Sequence, residues 1–386
     1  MPVKNRFAEL HADITDWRRD IHANPELMFD THRTSALVAE KLRAFGCDEV
    51  ATQIGRTGVV GVIKGKETSS GRVIGLRADM DALPIVEATG LDYASKTDGA
   101  MHACGHDGHT AMLLGAARYL TETRNFNGTA VVIFQPAEEG GGGGREMCQD
   151  GMMDRFGIDE VYGMHNWPGV EEGTFAIRPG PFFAATDKFD IIVTGKGGHA
   201  AKPHETVDPV VMTAQLISAL QTIVSRNADP VENAVVSVTS METSSHTFNV
   251  IPSSVTLMGT VRTLSSEIRA LAETRMRALC ESFGAGFGGT ITLDYEHNYP
   301  VMANHATETE FAAKAACAVS GQCNEAPLVM GGEDFAFMLE ERPGAYILMG
   351  NGPSAPVHHP EYNFNDAAIP FGCSWWVEVA EQRMPV

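Results

Sequence analysis

Residues 129–139 read Thr-Ala-Val-Val-Ile-Phe-Gln-Pro-Ala-Glu-Glu, an apolar run that ends in a proline and two adjacent carboxylates. A short and nearly continuous apolar run is typical of a strand buried on both faces, as in a parallel sheet. Comparable runs occur at residues 59–63, 73–76 and 160–164, and they alternate with helical segments. This alternation predicts an α/β fold in which a largely parallel, mixed sheet is flanked by helices.

The chain follows a different pattern between residues 185 and 297. This segment contains four predicted strands, at 188–194, 235–240, 255–263 and 290–295, and two long predicted helices, at 207–226 and 265–283. Their order, β-α-β-β-α-β, is that of a ferredoxin-like unit. We therefore expect a first domain formed by residues 1–184 and 298–386, with an α+β domain of residues 185–297 inserted into it.

The composition excludes several classes of partner. The 386 residues carry a formal net charge of −20, which argues against nucleic acid or an anionic membrane surface. A small anionic substrate is still compatible with this charge, because a local cation can reverse the sign inside a pocket. No run approaches the roughly 20 apolar residues of a membrane span.

Seven cysteines are scattered widely along the chain, and the first residues show no apolar secretory segment. An odd number of widely spaced cysteines in a long chain does not indicate a disulfide framework. The sequence therefore predicts a protein of the reducing cytoplasm.

Residues 101–109 read Met-His-Ala-Cys-Gly-His-Asp-Gly-His and bring a thiol, three imidazoles and a carboxylate into one short segment. Thiolate, imidazole and carboxylate are the usual protein ligands of a transition metal ion. Cys104 and His106 lie just before a predicted helix and are the strongest ligand candidates, whereas His102 and His109 fit supporting roles. The alternative is a buried free cysteine beside surface histidines.

Glu138 and Glu139 follow the apolar strand closely. If the chain is still extended there, their side chains point to opposite sides. One carboxylate could then bind a metal ion while its neighbour takes a proton from water that the metal activates, as hydrolysis requires. The alternative is a pair of solvated glutamates ahead of the glycine-rich loop at residues 140–144.

Further donors lie at other predicted strand ends or in loops. His165 ends a short strand, and His358 and His359 lie in a polar loop. Each histidine alone is more often a hydrogen-bonded structural residue, but a pair of metal ions would need about this many donors. Asp79 and Asp81 share one side of a strand end and could orient a ligand imidazole through hydrogen bonds.

Three polar residues of the inserted segment are candidates for substrate contact. His199 ends a strand and could donate a hydrogen bond to a developing oxyanion, or be an ordinary turn histidine. Arg262 could bind a substrate carboxylate through two parallel hydrogen bonds, or form a surface ion pair. Asn249 is a further polar group near a strand end.

Together these motifs resemble the amidohydrolase branch of the aminoacylase/carboxypeptidase metallopeptidases, which includes hippurate hydrolases and N-acyl-amino-acid deacylases. The matching motifs occur in family order over most of the chain, at residues 75–84, 102–109, 135–140, 163–168, 195–200, 249–252, 332–335 and 358–370. The resemblance implies a catalytic α/β domain that holds two metal ions, with an inserted ferredoxin-like lid that often dimerises.

Carried over position by position, the resemblance implies a set of five metal ligands, with the cysteine as the bridge: Cys104, His106, Glu139, His165 and His358. His358 is preferred over His359 because its distance from Pro370 matches the family's ligand position. Asp79 stands where other branches of the family have a histidine ligand. In this branch the bridging role therefore falls to Cys104.

The resemblance also implies roles in the reaction. Glu138 falls at the position of the family's general base, and His199 falls where the family stabilises the oxyanion. Asn249 and Arg262 fall at lid positions associated with substrate binding. Asp81, from its place at the strand end, is expected to orient a metal ligand.

The motifs and the resemblance predict a metal-dependent amidohydrolase that cleaves the amide bond of an N-acyl or N-aroyl amino acid. We expect its substrate to be a small molecule and its cofactors to be two divalent ions, zinc or manganese, with cobalt or nickel also compatible. The lid is expected to assemble the chain into a homodimer or homotetramer.

Three alternatives remain open at this point. A metallo-dipeptidase or carboxypeptidase would use the same metal chemistry. A metal-free thiol hydrolase would rely on Cys104 and a histidine, and it would stay active after chelation. A non-catalytic metal-binding or assembly protein would not need the spare carboxylate of Glu138.

Overall fold

The computed structural model describes residues 3–386 and divides into two units. The first unit comprises the residues up to Gly180 together with Ala303–Pro327 and Asp334–Val386. The second comprises Pro181–Met302 and Leu328–Glu333. The predicted insertion, 185–297, lies within the larger segment of the second unit, whereas no sequence pattern indicates that residues 328–333 return to it.

The first unit is built on an eight-stranded sheet. In spatial order its strands are β1 (Glu49–Ile54), β2 (Gly58–Lys64), β4 (Thr129–Gln135), β3 (Val73–Asp79), β5 (Glu160–Trp167), β16 (Gly344–Gly350), β6 (Phe175–Ile177) and β15 (Asn324–Glu325). The central neighbours β4, β3, β5 and β16 run parallel, while β1, β2 and β6 pair antiparallel with their inner neighbours. The predicted fold class, a largely parallel mixed sheet, is confirmed.

Helices flank this sheet. They are α1 (Arg6–Ala23), α2 (His32–Phe45), α3 (His106–Thr123), α4 (Gly143–Gln149), α5 (Met152–Arg155), α8 (Ala306–Ser320), α9 (Ala336–Glu341) and α10 (Ile369–Arg383), with a 3-10 turn at Asp366–Ala368. Helix α3 packs against α1, α2 and α10, and most of its side chains are buried. The adjacent Trp375 and Trp376 of α10 are fully buried in the same apolar layer.

Strand β3 shows how the sheet separates its core face from its polar face. Ile74, Leu76 and Ala78 belong to the apolar core, as expected for alternate residues of a strand. Arg77 and Asp79 point to the opposite face, where their side chains form a buried ion pair at 2.8 Å. The strand thereby delivers Asp79 to the carboxyl edge of the sheet.

The second unit contains a four-stranded antiparallel sheet in the order β10-β12-β8-β13. Its strands are β8 (Ala185–Thr194), β10 (Ala234–Thr243), β12 (Ser254–Thr263) and β13 (Thr290–His297). Its helices are α6 (Pro209–Thr222), which continues into a π-helical turn at Ile223–Asn227, and α7 (Ser266–Phe287). The chain order β8-α6-β10-β12-α7-β13 is the predicted ferredoxin-like order.

Short elements complete the chain. In the second unit β9 (Gly198–His199) pairs with β11 (Val250–Ile251), next to a 3-10 turn at Pro203–Glu205. Strands β7 (Gly180–Phe183) and β14 (Met302–Asn304) lie where the chain passes from one unit to the other. None of the helices within residues 3–386 combines the length and the apolar composition that crossing a lipid bilayer would require.

Candidate metal centre

The candidate ligands of the first unit and the carboxylates predicted to act beside them meet at the carboxyl edge of its sheet. Asp79 ends β3, Glu138 and Glu139 follow β4, and His165 lies near the end of β5. His106 is the first residue of α3. The carboxyl ends of parallel strands are where open α/β sheets bind ligands, so the topology itself brings these groups together.

His106 has one ring nitrogen fixed and the other without a partner. Its Nδ1 donates to the carbonyl oxygen of Asp81 at 2.8 Å, which leaves Nε2 as the nitrogen with the lone pair. Nε2 is buried and has no hydrogen bond among residues 3–386; Asp79 Oδ2 lies 3.7 Å away and Glu139 Oε1 3.9 Å away. A buried lone pair without a partner costs free energy, which a bound cation would recover.

His165 repeats this arrangement. Its Nδ1 donates to the carbonyl oxygen of Asn166 at 2.6 Å, and its Nε2 lies 3.3 Å from Cys104 Sγ. An imidazole held through one nitrogen by a backbone carbonyl, with the other nitrogen facing a cluster of donors, is the usual environment of a metal-ligating histidine.

Within residues 3–386, five groups of potential donors have ligand atoms within 4.8 Å of one another, and three of these groups together contain the predicted ligands: Cys104, His106 and His165; Cys104, Glu139 and His358; His106, Glu138 and Glu139. The Cys104 sulfur belongs to the first two groups. Thiolate, imidazole and carboxylate suit divalent transition metals, so the donors present fit such ions and place the sulfur at a shared position.

The electrostatics of the cluster favour a cation. Burial opposes ionisation of His106, but the charges of Asp79 and Glu139 and the hydrogen bond to Asp81 outweigh it and raise its pKa to about 10. A positive charge at Nε2 is therefore favoured, and a bound metal ion would supply it in place of a proton. Burial, reinforced by the charges of Glu139 and Glu138, raises the pKa of Cys104 well above its usual range. The Cys104 thiol therefore ionises only where a positive charge lies beside it.

Glu138 and Glu139 lie in a turn and not in an extended strand. Strand β4 ends at Gln135, and Ala137 adopts a left-handed φ of 52°. The premise that the two side chains leave an extended strand on opposite sides is therefore wrong, and both carboxylates approach His106. A positive φ is costly for alanine, and such strain is found mostly at functional sites.

Asp81 holds this turn in place. Its Oδ1 accepts from the backbone N–H of Glu138 at 2.9 Å, and its Oδ2 accepts from that of Glu139 at 3.1 Å. The sequence suggested that the Asp81 carboxylate orients an imidazole. In the structure its backbone carbonyl binds His106, while its carboxylate lies 3.4 Å from Nδ1 and fixes both glutamates.

Of the two neighbouring histidines, the structure brings His358 to the cluster. Its φ is 66°, its backbone N–H donates to the Ala103 carbonyl at 2.7 Å, and its Nε2 lies 3.4 Å from Glu139 Oε1. The His359 Nδ1 accepts instead from the backbone N–H of Glu361 at 3.1 Å. His358 is half-exposed, so it lies at the solvent side of the cluster.

The remaining histidines of the 101–109 segment differ from His106, although His109 forms a further donor group with Asp79 and His106. His109 donates from Nδ1 to Asp79 Oδ1 at 2.7 Å, and its Nε2 accepts from the backbone N–H of Asn166 at 2.9 Å. His102 is fully buried, and burial lowers its pKa to about 3, so it is neutral. His109 therefore ties the segment to β3 and β5, whereas neither ring nitrogen of His102 has a hydrogen bond within residues 3–386.

The predicted substrate-contact residues all belong to the second unit. His199 is exposed on β9, and its Nδ1 accepts from the backbone N–H of Ala201 at 3.1 Å. Asn249 is exposed, and its carbonyl accepts from the Ala200 N–H at 3.1 Å, so it lies beside the His199 turn. Arg262 is half-buried on β12, donates to Thr260 Oγ1 at 3.2 Å and forms no ion pair within residues 3–386.

A buried arginine beneath the cluster was not anticipated from the sequence. Arg77 donates to Asp79 Oδ2 at 2.8 Å, to Gln135 Oε1 at 2.9 Å and to Asp334 Oδ1 at 3.0 Å. It thereby ties the ends of β3 and β4 to the segment before α9. The sequence contains one indication of this network, the spacing Arg77-x-Asp79. Two charged residues that are two positions apart on a buried strand share one face and can form an ion pair.

The fold and the donor set define an α/β metalloprotein whose ligands converge at the carboxyl edge of its sheet. The chain belongs to the peptidase family M20/M25/M40, whose family model matches residues 75–382. The family resemblance predicted from the motifs is thereby confirmed.

Relatives match over nearly the whole chain. A hippurate hydrolase of Campylobacter jejuni subsp. jejuni is 42% identical over 376 residues, which cover 96% of this chain and 97% of the relative. A thermostable carboxypeptidase 2 of Saccharolobus solfataricus is 38% identical over 380 residues, with 96% and 95% coverage. A solved Bacillus subtilis structure, described as a dinuclear metal binding peptidase from the M20 family, has a TM-score of 0.86 at 35% identity and covers 98% of this chain and 99% of its own.

Proposed function

We propose that this chain is a metal-dependent amidohydrolase that cleaves an N-acyl or N-aroyl amino acid into a carboxylic acid and a free amino acid. The observation that carries the proposal is the pair of donor groups that share the Cys104 sulfur, beside the additional carboxylate of Glu138. The Campylobacter jejuni relative supports the substrate class, because hippurate is an N-aroyl amino acid.

Five side chains hold two divalent ions in this proposal: Cys104, His106, Glu139, His165 and His358. The Cys104 sulfur belongs to two of the donor groups, so it could serve as a ligand to either ion. Zinc or manganese fits these donors, and cobalt or nickel is also compatible. When bound, such ions lower the pKa of water from about 15.7 to about 7 and polarise a carbonyl oxygen.

Glu138 is the general base. It accepts a proton from the water as the water oxygen attacks the amide carbonyl carbon, and it donates that proton to the amide nitrogen as the carbon–nitrogen bond breaks. Its buried side chain and the hydrogen bond from its backbone to Asp81 support this role, because a general base must be held at a fixed place.

His199, Asn249 and Arg262 contact the substrate in this proposal. Since the His199 Nδ1 accepts a hydrogen bond, its Nε2 carries the proton and can donate to the oxyanion. The half-buried guanidinium of Arg262 suits the carboxylate of the amino acid, because it forms no ion pair within the described chain.

The test is a comparison of turnover on hippurate, N-acetyl amino acids and dipeptides, with the protein reloaded with each metal in turn. We expect kcat/KM for one or more acyl amino acids to exceed that for every dipeptide. Faster cleavage of dipeptides would favour the second candidate, a dipeptidase or carboxypeptidase, which the Saccharolobus solfataricus relative supports.

A metal-free thiol hydrolase fits the site less well. Such an enzyme needs a thiolate beside a protonated imidazole. Burial raises the pKa of Cys104, while burial and the nearby His109 lower the pKa of His165 well below its ordinary value. The raised pKa of Cys104 therefore disfavours the thiolate that such an enzyme needs, and the lowered pKa of His165 disfavours the imidazolium of this pair.

The inserted unit is the proposed assembly surface, giving a homodimer or homotetramer. Its edge strand β10 exposes Val235 and Met241 and pairs on one side only, and unpaired edges of this kind recruit further strands. Light scattering at micromolar concentration should report at least a dimer, and a monomer would contradict this assignment.

The seven unpaired cysteines support a reducing compartment, the cytoplasm.

A further inference from the structure

The side chain of Asn166 joins three segments of the first unit. Its Nδ2 donates to the carbonyl oxygen of Cys104 at 2.6 Å and to Nε2 of His109 at 3.0 Å. Its Oδ1 accepts from the hydroxyl of Tyr362 at 2.6 Å. All three hydrogen bonds are buried, so water cannot replace any that are lost.

The hydrogen bonds also fix the orientation of this amide. The Cys104 carbonyl can only accept, so the NH₂ group of Asn166 must face it. The His109 Nε2 accepts from both the backbone and the side chain of Asn166, while its Nδ1 donates to Asp79. Each donor of this hydrogen-bond network therefore meets an acceptor.

Each segment that Asn166 joins carries a proposed metal ligand. Cys104 lies in the first, His165 directly precedes Asn166, and Tyr362 follows His358 by four residues. The Tyr362 N–H donates to the His359 carbonyl at 2.9 Å, so the hydroxyl contact holds the turn that presents His358.

The side chains of Asn166 and Tyr362 pack closely against the backbone at Gly105. A Cβ placed on Gly105 would lie 2.3 Å from Asn166 Nδ2 and 2.5 Å from the Tyr362 hydroxyl. A movement of either side chain is therefore transmitted to the backbone between Cys104 and His106.

We propose that Asn166 is a positioning residue that sets the metal affinity of the centre by holding the segments of Cys104, His165 and His358 at a fixed spacing. The proposal rests on the proposed metal-binding function. Replacing Asn166 by leucine, which has a similar size, removes all three hydrogen bonds. Loss of a group that orients metal ligands typically weakens metal binding by about 10- to 100-fold.

The test measures Zn²⁺ affinity by competition with a chromogenic chelator, and metal content per chain by mass spectrometry. The variants are Asn166→Leu and Tyr362→Phe, and the latter removes one hydroxyl without creating a large void. Asn304→Leu is the matched control. Asn304 is also buried, donates to the Arg178 and Tyr346 carbonyls at 2.9 Å and accepts from the Tyr346 N–H at 2.7 Å.

We expect Asn166→Leu to lower Zn²⁺ affinity by about 10- to 100-fold and Tyr362→Phe to lower it by a smaller factor. Asn304→Leu should lower the melting temperature and leave the affinity unchanged. If Asn166→Leu does not fold, the Zn²⁺ affinity of Tyr362→Phe decides whether the proposal holds.

Two outcomes overturn the proposal in distinguishable ways. If the wild-type protein binds two ions and Tyr362→Phe and any folded Asn166→Leu bind them as tightly, Asn166 does not position the ligands. If the wild-type protein binds no metal, the proposed function fails and the inference fails with it.

Discussion

At the scale of single residues, the candidate centre contains ligand side chains that are held in place and one carboxylate, Glu138, that must transfer a proton. The Nδ1 atoms of His106 and His165 are held by backbone carbonyls, which leaves their Nε2 atoms facing Cys104 and the carboxylates. The sequence predicted these donors because a thiol, imidazoles and carboxylates are costly to bury without a partner, and a metal site is one of few reasons to gather them. It did not predict Asn166 as their support, because an asparagine near the end of a strand has many ordinary roles.

Glu138→Gln should retain metal and lose turnover. The amide keeps the size of the side chain but cannot accept the proton, and a general base contributes about 100- to 10,000-fold in rate. Measurements of kcat and of metal per chain, with Glu139→Gln as the contrasting variant, separate the two roles. Glu139→Gln should lose metal affinity. A Glu138→Gln enzyme of near-normal kcat would refute the assignment of the base.

His22 should make stability depend on pH. It is buried, with Nδ1 2.9 Å from Asp107 and Nε2 3.3 Å from Glu87. Burial opposes its charge, but these hydrogen bonds outweigh burial and raise its pKa to about 9. The stabilisation is therefore complete below the unfolded pKa of about 6.5 and is lost as the pH rises through 9.

The measurement is the free energy of unfolding of wild type and His22→Gln across this pH range at fixed metal concentration. The difference between the two proteins should be largest below pH 6.5 and should shrink by up to about 3 kcal/mol above pH 9. A difference that does not vary with pH would show that folding leaves the pKa of His22 unchanged, and a difference that grows as the pH rises would show that His22 is neutral in the folded protein.

At the scale of elements, strands were predicted better than turns. The apolar run of β4 gives its position directly, because a buried parallel strand needs apolar residues on both faces. The turn after it could not be predicted, since the left-handed Ala137 is held by contacts between Asp81 and a segment 57 residues later in the chain. Tertiary contacts override local preference there.

Gly105→Ala should be more damaging than Gly46→Ala. Both glycines have left-handed φ, 94° and 88°, which costs alanine about 1–2 kcal/mol. A Cβ on Gly46 meets nothing within 4 Å, whereas one on Gly105 would press on Asn166 and Tyr362. Gly105→Ala should therefore lose more stability and also metal affinity, measured by denaturant unfolding and chelator competition. Equal losses in the two variants would contradict this packing.

At the scale of the whole molecule, the change of element order at residues 185–297 predicted an inserted domain, and that range lies within the second unit. Residues 328–333 were not assigned to the second unit in advance, because so short a segment carries no periodic signal of its own. The metal ligands were found because their residue types are chemically distinctive. The buried Arg77 network was missed because its partners, Gln135 and Asp334, are far from it in sequence.

Metal removal should lower the stability of the folded chain. Ions that bind only the folded state stabilise it by about 4 kcal/mol at 1,000 times their Kd. The melting temperature should therefore fall on chelation and recover on adding Zn²⁺ or Mn²⁺. The matched comparison is Glu139→Gln, whose melting temperature should respond less to metal. An identical response in both proteins would place the stabilising ion elsewhere.

In the proposed function, the chain hydrolyses an acyl amino acid and needs two bound metal ions to do so. The most direct test strips the protein of metal and follows hippurate hydrolysis while metal is added back in measured equivalents per chain. We expect no turnover without metal and a rise in turnover that reaches its plateau at two equivalents. Undiminished turnover by the fully stripped protein would contradict it.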